Sequence, residues 1–564
     1  MDENRQRTGQ LDATHRTVVL FLLIVPTILL VAGIWHGLLQ VLYRAGIIRS
    51  SSFLGLEYYQ GLTLHGVVNA LVYTTFFEVA FGYAVVAHFL DRRLVPAITW
   101  VAFGLMLGGT LIAAAPIFLG SASVLYTFYP PLRANPAFYL GAALLVVGSW
   151  VPFGQWIVAY LGWRRAHPYE KTPLAVVGIF ATFTVWLLAT LPLAYEVLVM
   201  LLPWSLGWIP GVNVVLARTL FWFFGHPLVY FWLLPAYVMY YVMLPPLVGG
   251  KLYSDPAARV AFMLFIVFSA PVGLHHQFAD PGIASGYKWF HGLLTFCVAL
   301  PSFMTAFTVA ASLEHGARAR GGRGLFGWWA KLPYLDADRY LFAYLFCGLL
   351  LFLFGGITGI INASVTMNAV VHNTAWIPAH FHTTLGGPAF LGFTGMTLLL
   401  VTQLTGRRLR LRRLNVWVPY LWLGGVMLFS VGLSAAGLLG EPRRTNLGPS
   451  YADPASPLFH ASWLPWSQLG AVGGVVMTLA MLAYFAVFFV TLLGPCVDEP
   501  CLDLPAAEAY HDEDAAYVRN FTPWVVAAIV LLVIAYVPPI YSIVTGTAEP
   551  APAYEATSPV PTRF

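Results

Sequence analysis

Charge is scarce in this chain of 564 residues. Only 9% of it is Asp, Glu, Lys or Arg, against about a quarter in soluble globular proteins. With 59% hydrophobic residues and a mean hydropathy of +0.74, it has too few charges to cover a water-facing surface of its size. That excludes an ordinary soluble protein, and equally a disordered or collagen-like one. Cysteine is scarcer still: four residues with no CxxC spacing exclude a disulfide scaffold, a thiol-redox motif and a zinc ribbon. The closest pair, Cys496 and Cys501, flanks the acidic stretch Val497-Asp498-Glu499-Pro500 and is expected to be structurally incidental. Internal repeats and large soluble insertions are also missing. The composition describes an all-α polytopic membrane protein.

A membrane helix needs about 20 mostly apolar residues. On that measure roughly thirteen spans are expected, near 17–45, 60–90, 95–120, 137–163, 173–203, 212–246, 257–278, 287–314, 340–363, 374–404, 415–440, 463–495 and 522–545. A polar tail, 1–16, runs into the first with no signal-peptide pattern. One transmembrane domain over 17–545 and a second tail over 546–564 complete the expected organisation. Lys and Arg orient the array, because cytoplasmic loops retain them. Alternating loops place 21 of the 29 basic residues on the N-terminal side and 8 on the other. The N-terminus is therefore expected in the cytoplasm and the C-terminus outside. The net charge of +5 reflects this retention and needs no nucleic-acid partner.

Ionisable residues inside spans are costly and mark function by default. Among the 15 histidines, His36, His88 and His291 stand alone and read as hydrogen-bonded packing residues. Six others form a pattern. His380 and His382 open span ten in Trp376-Ile-Pro-Ala-His-Phe-His. Residues two apart on a helix point about 200° apart, so this pair cannot share one metal but can each hold a planar cofactor on either side; His is a common axial ligand of haem iron. In span six, His226 and Tyr230 are i and i+4 and stack on one face. His275 and His276 end span seven, where Pro271 and Gly273 can distort the helix and let both reach a metal. Three imidazoles from two helices suit copper. His65 stands near the start of span two. Topology puts all six in the outer half of the bilayer, as a metal and haem cluster requires and scattered packing residues do not.

At these residues the chain resembles the catalytic subunit (subunit I) of the haem–copper oxidases, closest to the B-type branch of ba-type cytochrome c oxidases. The likeness runs through TLFWFFGHPLVYFWLLPAY, VGLHHQFADPGI, PSFMTAFTVAASLE, GGRGLFGW and VVHNTAW and covers essentially the whole chain. It implies about 13 helices around two haems and a copper site. His65 and His382 would be the axial ligands of a low-spin haem b, His380 the proximal ligand of a high-spin a-type haem, and His226, His275 and His276 the ligands of one copper ion. Tyr230 would be joined covalently to His226 and supply an electron and a proton when O2 is reduced to water.

The resemblance also assigns the surroundings. Arg443 and Arg444 would bind haem propionates, for which Arg's bidentate fork is suited; His372 and Asn373 would lie on the propionate side, and Tyr126 near the high-spin haem. Tyr237 and Tyr241 of span six, with Thr295, Ser302, Thr305 and Thr308 of span eight, resemble the single K-type proton pathway of the B branch. An acid that many A-type relatives carry two residues after the first copper ligand is Leu228 here, which favours the B branch. Asn368 stands where close B-type relatives carry an Asp near the propionates, which leaves the proton-loading group open. Glu78 and Glu196 read as packing carboxyls with a hydrogen-bond partner, with a proton role as the alternative. No Cys-rich dinuclear copper motif is present, so electrons from cytochrome c are expected through a subunit II carrying that centre, beside a small single-helix subunit, in the cell's inner (plasma) membrane. A quinol donor, a nitric oxide reductase-like enzyme with iron in place of copper, and a proton-coupled transporter are the competing readings.

Overall fold

The computed structural model describes residues 11–92 and 94–547. Most of the two polar tails, and with them Arg5, Arg7, Arg93 and Arg563, lie outside the described residues. Thirteen helices follow the expected spans: α1 (Ala13–Arg44), α2 (Tyr58–Leu90), α3 (Pro96–Phe118), α4 (Pro136–Ala166), α5 (Leu174–Ser205), α6 (Val214–Leu247), α7 (Asp255–Ser269), α8 (Ser285–Ala319), α9 (Tyr340–Ala363), α10 (Trp376–Thr405), α11 (Arg412–Leu438), α12 (Leu464–Leu492) and α13 (Thr522–Val544). Twelve of them are long and apolar enough to cross a membrane. The exception is α7, whose 15 residues reach about 22 Å, short of the roughly 30 Å hydrocarbon layer.

The shortfall in α7 has a local cause. Pro271 brings no N–H to continue the helical ladder, so the helix stops at Ser269, two residues ahead of it, although Ala270 keeps helical angles of φ −71° and ψ −43°. The chain continues through an irregular stretch into a short 3₁₀ turn, Leu274–Gln277, that carries His275 and His276. Irregular backbone at membrane depth is tolerated only when buried in protein. Here Ala270, Val272 and Leu274 are buried against Leu532, Ala535 and Tyr536 of α13. Leu274 N–H donates to His291 Nδ1 at 3.4 Å, and His291 Nε2–H donates to Ala535 O at 2.9 Å. His291 is thus the hydrogen-bonded packing residue expected, and what it packs is the backbone beside the histidine pair.

Burial sorts the helices. In the apolar windows of α2, α6 and α10, 89%, 94% and 83% of residues are buried, against 33% in α8. The three most enclosed helices are those bearing His65, His226 with Tyr230, and His380 with His382. Each is interrupted by a π-helical segment: Val67–Val72 just after His65, Leu385–Ala389 just after His382, and Met239–Met243 past Tyr237. Such bulges are frequent at functional sites because they re-aim side chains and free carbonyls. The carbonyl of Val242, within the α6 bulge, accepts the N–H of Ala507 at 2.8 Å. That bond helps dock the 496–521 loop onto α6, together with two three-residue strands, β1 (Leu252–Ser254) and β2 (Ala509–His511), paired in parallel. Cys496 and Cys501 are exposed and are not joined in a disulfide.

Gly273 has no room for a side chain: a Cβ there would lie 2.2 Å from the Tyr536 hydroxyl and 2.4 Å from the Trp222 carbonyl. Gly273→Ala is therefore expected to cost about 1–3 kcal/mol as overpacking and to displace the His275–His276 turn. A lowered thermal midpoint together with weakened metal retention checks this.

Candidate functional site

An imidazole has two ring nitrogens, and the hydrogen bond made by one fixes the tautomer and leaves the other for a metal. This accounting can be carried through around the site. The Nδ1 of His65 lies 2.8 Å from Gly33 O, and the Nδ1 of His382 lies 2.7 Å from Pro378 O. A carbonyl only accepts, so both Nδ1 atoms carry the proton and both Nε2 atoms are bare. His380 Nδ1 faces the Thr358 hydroxyl at 2.8 Å, and that hydroxyl donates its one proton to Gly355 O at 2.9 Å. Thr358 must accept from His380, leaving Nε2 bare again. His275 repeats the device: its Nδ1 faces Thr295 Oγ1 at 3.0 Å, and Thr295 donates to His291 O at 2.6 Å.

His65 and His382 face each other across a cavity of about 270 Å³. Their ring centroids are 6.2 Å apart and their planes only 15° from parallel. Two metal–nitrogen bonds of about 2 Å, plus about 1.1 Å from each nitrogen to its ring centre, sum to roughly 6.2 Å. One metal ion held axially between the rings fits this gap. Gly37 keeps α1 back, since a Cβ there would lie 2.7 Å from His65 Cε1 and Nδ1. The walls include Tyr58, Phe381, Trp422 and Phe429, with Arg443 and Arg444 among the few charged residues lining it. A flat, largely apolar group with anionic substituents at one rim, which is what a haem is, fits this cavity.

His226, His275 and His276 form the second centre, each offering a ligand atom within 4.8 Å of the others. His226 Nδ1 lies 3.1 Å from His276 Nε2, close to the roughly 3.3 Å between two nitrogens on a tetrahedral ion with 2.0 Å bonds. The other nitrogen of His226 faces the Tyr230 hydroxyl at 2.9 Å, as the i,i+4 spacing on α6 allows. Trp222 stacks on His276 with centroids 3.8 Å apart and planes 5° apart, holding that ring in place. Three imidazoles without a carboxylate suit a copper ion better than a hard cation.

The flanking residues are placed as follows. Tyr126, expected near the high-spin haem, lines the His65–His382 cavity and meets the edge of Phe381, the residue between His380 and His382. The Arg444 guanidinium lies 5.6 Å from its ring centre. Arg443 donates to Asn373 Oδ1 at 3.1 Å, and Asn373 sits at φ 58°, a left-handed conformation Asn tolerates. His372 Nδ1 donates to Asn368 Oδ1 at 2.9 Å, and Asn368 Nδ2 donates to Asn362 O at 2.7 Å. Burial, reinforced by the Arg443 charge, holds His372 down to about 4. Tyr241 and Thr305 share a hydrogen bond of 2.5 Å between α6 and α8, and Thr308 is buried one turn on, where its carbonyl accepts from Ser312. Ser302 donates to Val298 O at 3.0 Å, while the fully buried Tyr237 hydroxyl has no protein partner among the described residues. Glu78 and Glu196 differ from expectation: both are fully buried, and neither carboxyl has a protein hydrogen-bond partner among the described residues.

Sequence reasoning passed over Thr358, Trp222 and Gly37. Each acts through a ring that the sequence did mark, and only the fold shows which helix faces that ring. Replacing Thr295 with Val removes the acceptor that orients His275. Such second-layer changes cost about 10–100-fold in metal affinity, and metal content after a chelator challenge is expected to fall accordingly.

Residues 17–476 match the family model described as cytochrome c and quinol oxidase polypeptide I. The chain is 43% identical over 511 residues to cytochrome c oxidase subunit 1 of Thermus thermophilus, covering 88% of each. It is 24% identical to cytochrome c oxidase subunit 1 of a Synechocystis species, over 76% of this chain and 74% of that one. Among solved structures, a haem–copper terminal oxidase dimer superimposes with a TM-score of 0.94 at 51% identity, covering 98% of this chain and 97% of the other. By sequence over most of its length and by fold over nearly all of it, the chain belongs to the cytochrome c and quinol oxidase polypeptide I family: it is an oxidoreductase, the membrane-embedded subunit I of a haem–copper oxidase, in a family that carries a low-spin haem, a high-spin haem and copper.

Proposed function

We propose that this chain is the catalytic subunit of a B-branch cytochrome c oxidase, with His65 and His382 holding the low-spin haem b, His380 the high-spin a-type haem, and His226, His275 and His276 the copper. The observation that carries the assignment is the 6.2 Å, near-parallel pairing of His65 with His382 beside a separate three-imidazole cluster. When bound, the haem held by His65 and His382 would supply electron transfer, and the haem held by His380 with the copper held by His226, His275 and His276 would supply the redox chemistry of O2 reduction.

The chain's own residues supply orientation and protons. Thr358 and Thr295 hold His380 and His275 in the ligating tautomer. Tyr230, 2.9 Å from His226, is placed to give up a proton and an electron at the edge of the cluster, and the same contact allows the covalent His–Tyr link found in the family. Reducing O2 to two waters consumes four protons as well as four electrons. Hydroxyls both donate and accept, so Thr308, Thr305 with Tyr241, Ser302 with Tyr237, and Thr295 with His275 form the stations of a wire from the inner face to the cluster. A buried hydroxyl such as that of Tyr237 takes a hydrogen bond, and bridging water fits that role. Arg443 and Arg444 hold propionates at the cavity rim.

The chain carries no dinuclear copper motif, so its electrons come from cytochrome c through a subunit II bearing that centre; a small single-helix subunit completes the complex. The basic-residue bias supports a plasma-membrane orientation with the N-terminus in the cytoplasm. Tyr230 against His226 favours this reading over a nitric oxide reductase, which lacks that phenol.

Two measurements test the assignment. The purified complex is expected to contain two haem irons per copper in this subunit and to consume O2 with reduced cytochrome c; a third iron in place of the copper, or no haem spectrum, overturns the assignment. Tyr241→Phe is expected to leave the haem spectrum intact while slowing O2 turnover and proton uptake by at least about tenfold, measured with a pH-indicating dye.

A further inference from the structure

The arginine pair at the cavity rim is held by a second layer that the resemblance does not assign. Glu441, two residues ahead of Arg443, is 1% exposed. Its Oε1 lies 2.9 Å from Nε of Arg44, the last residue of α1, and its Oε2 accepts from the Ser467 hydroxyl of α12 at 2.8 Å. The Arg44 guanidinium also meets the Pro442 carbonyl. On the main chain, Glu441 O accepts the N–H of Ala375 at 2.8 Å, directly before α10, and Arg443 N–H donates to Asn373 O at 3.0 Å. One short strap therefore joins the outer ends of α1 and α12 to the start of the helix that bears His380 and His382.

Arg44 itself lines the His65–His382 cavity, beside Arg443 and Arg444. Three guanidiniums and the single carboxylate behind Arg44 leave two positive charges at this wall. The haem assigned between His65 and His382 would bring two propionates, and Glu441 lowers the positive charge lining its cavity toward that number. A buried ion pair is weak evidence for stability, because desolvation offsets the attraction; its retention here calls for another role.

Resting on the haem assignment above, we propose that Glu441 and Arg44 are positioning residues that set the reduction potential of the haem between His65 and His382. Reduction adds negative charge to the haem. A neighbouring carboxylate therefore opposes it, and an unneutralised guanidinium favours it.

The test is a spectroelectrochemical titration of the purified, fully loaded complex. Glu441→Gln keeps the shape and the Ser467 contact. It is expected to raise the reduced-to-oxidised ratio of the low-spin haem at fixed potential by roughly five- to tenfold, the effect of one partly screened charge; tenfold corresponds to about 59 mV for one electron. Arg44→Gln is expected to shift the ratio the opposite way, and the double variant to return near the parent value. A purely structural role predicts that both single changes move the ratio in one direction and that the double change compounds them. That outcome, or an unmoved potential in Glu441→Gln, overturns the proposal. A preparation without a two-haem spectrum overturns the assignment of function instead, before any potential is read.

Discussion

Everything at the centre of this protein depends on how buried imidazoles are satisfied. A ring at membrane depth has no bulk water to complete its hydrogen bonding, so each nitrogen needs a partner or a metal. His65, His380, His382 and His275 each give Nδ1–H to an acceptor whose own role is already fixed, either a backbone carbonyl or a threonine whose proton is committed one turn back. Four Nε2 atoms are thereby left bare. The two centres are preorganised by ordinary helix hydrogen bonding, and ligand geometry follows from it.

That requirement explains where the helices are irregular. A straight α7 would carry His275 and His276 about 100° apart around its axis. Stopping the helix before Pro271 and turning the chain through Gly273 brings both rings to His226 instead, with centroids 4.3 Å and 5.3 Å from it. The backbone left without helical partners is sheltered by α13 and tied by His291. The π segments in α2, α6 and α10 likewise lie beside the candidate site side chains, and a fourth, Glu196–Leu201, interrupts α5 at the buried Glu196.

The two ends of the site differ in dielectric and therefore in chemistry. Toward the outer rim, guanidiniums, amides and the Glu441 carboxylate form a continuous polar layer over the cavity. Along the stretches 237–241 of α6 and 302–308 of α8, the polar side chains are hydroxyls only, which move a proton without placing a fixed charge in the bilayer. Glu78 and Glu196 stand outside both arrangements, buried with no protein hydrogen-bond partner among the described residues.

Composition and hydropathy alone determined the membrane class and all thirteen helices to within a few residues at most ends, because apolar run length is a local feature of the chain; the six histidines and Tyr230 stood out as candidates, because an imidazole placed in an apolar span is costly. The distorted end of span seven was legible too, through Pro271 and Gly273. What tertiary structure decided was every pairing between segments distant in sequence: Gly33 and Gly37 against His65, Thr358 against His380, Trp222 on His276, and Arg44 with Glu441. None has a periodic or positional signature, since a threonine, a tryptophan or a glycine takes such a role only when another helix is packed against it.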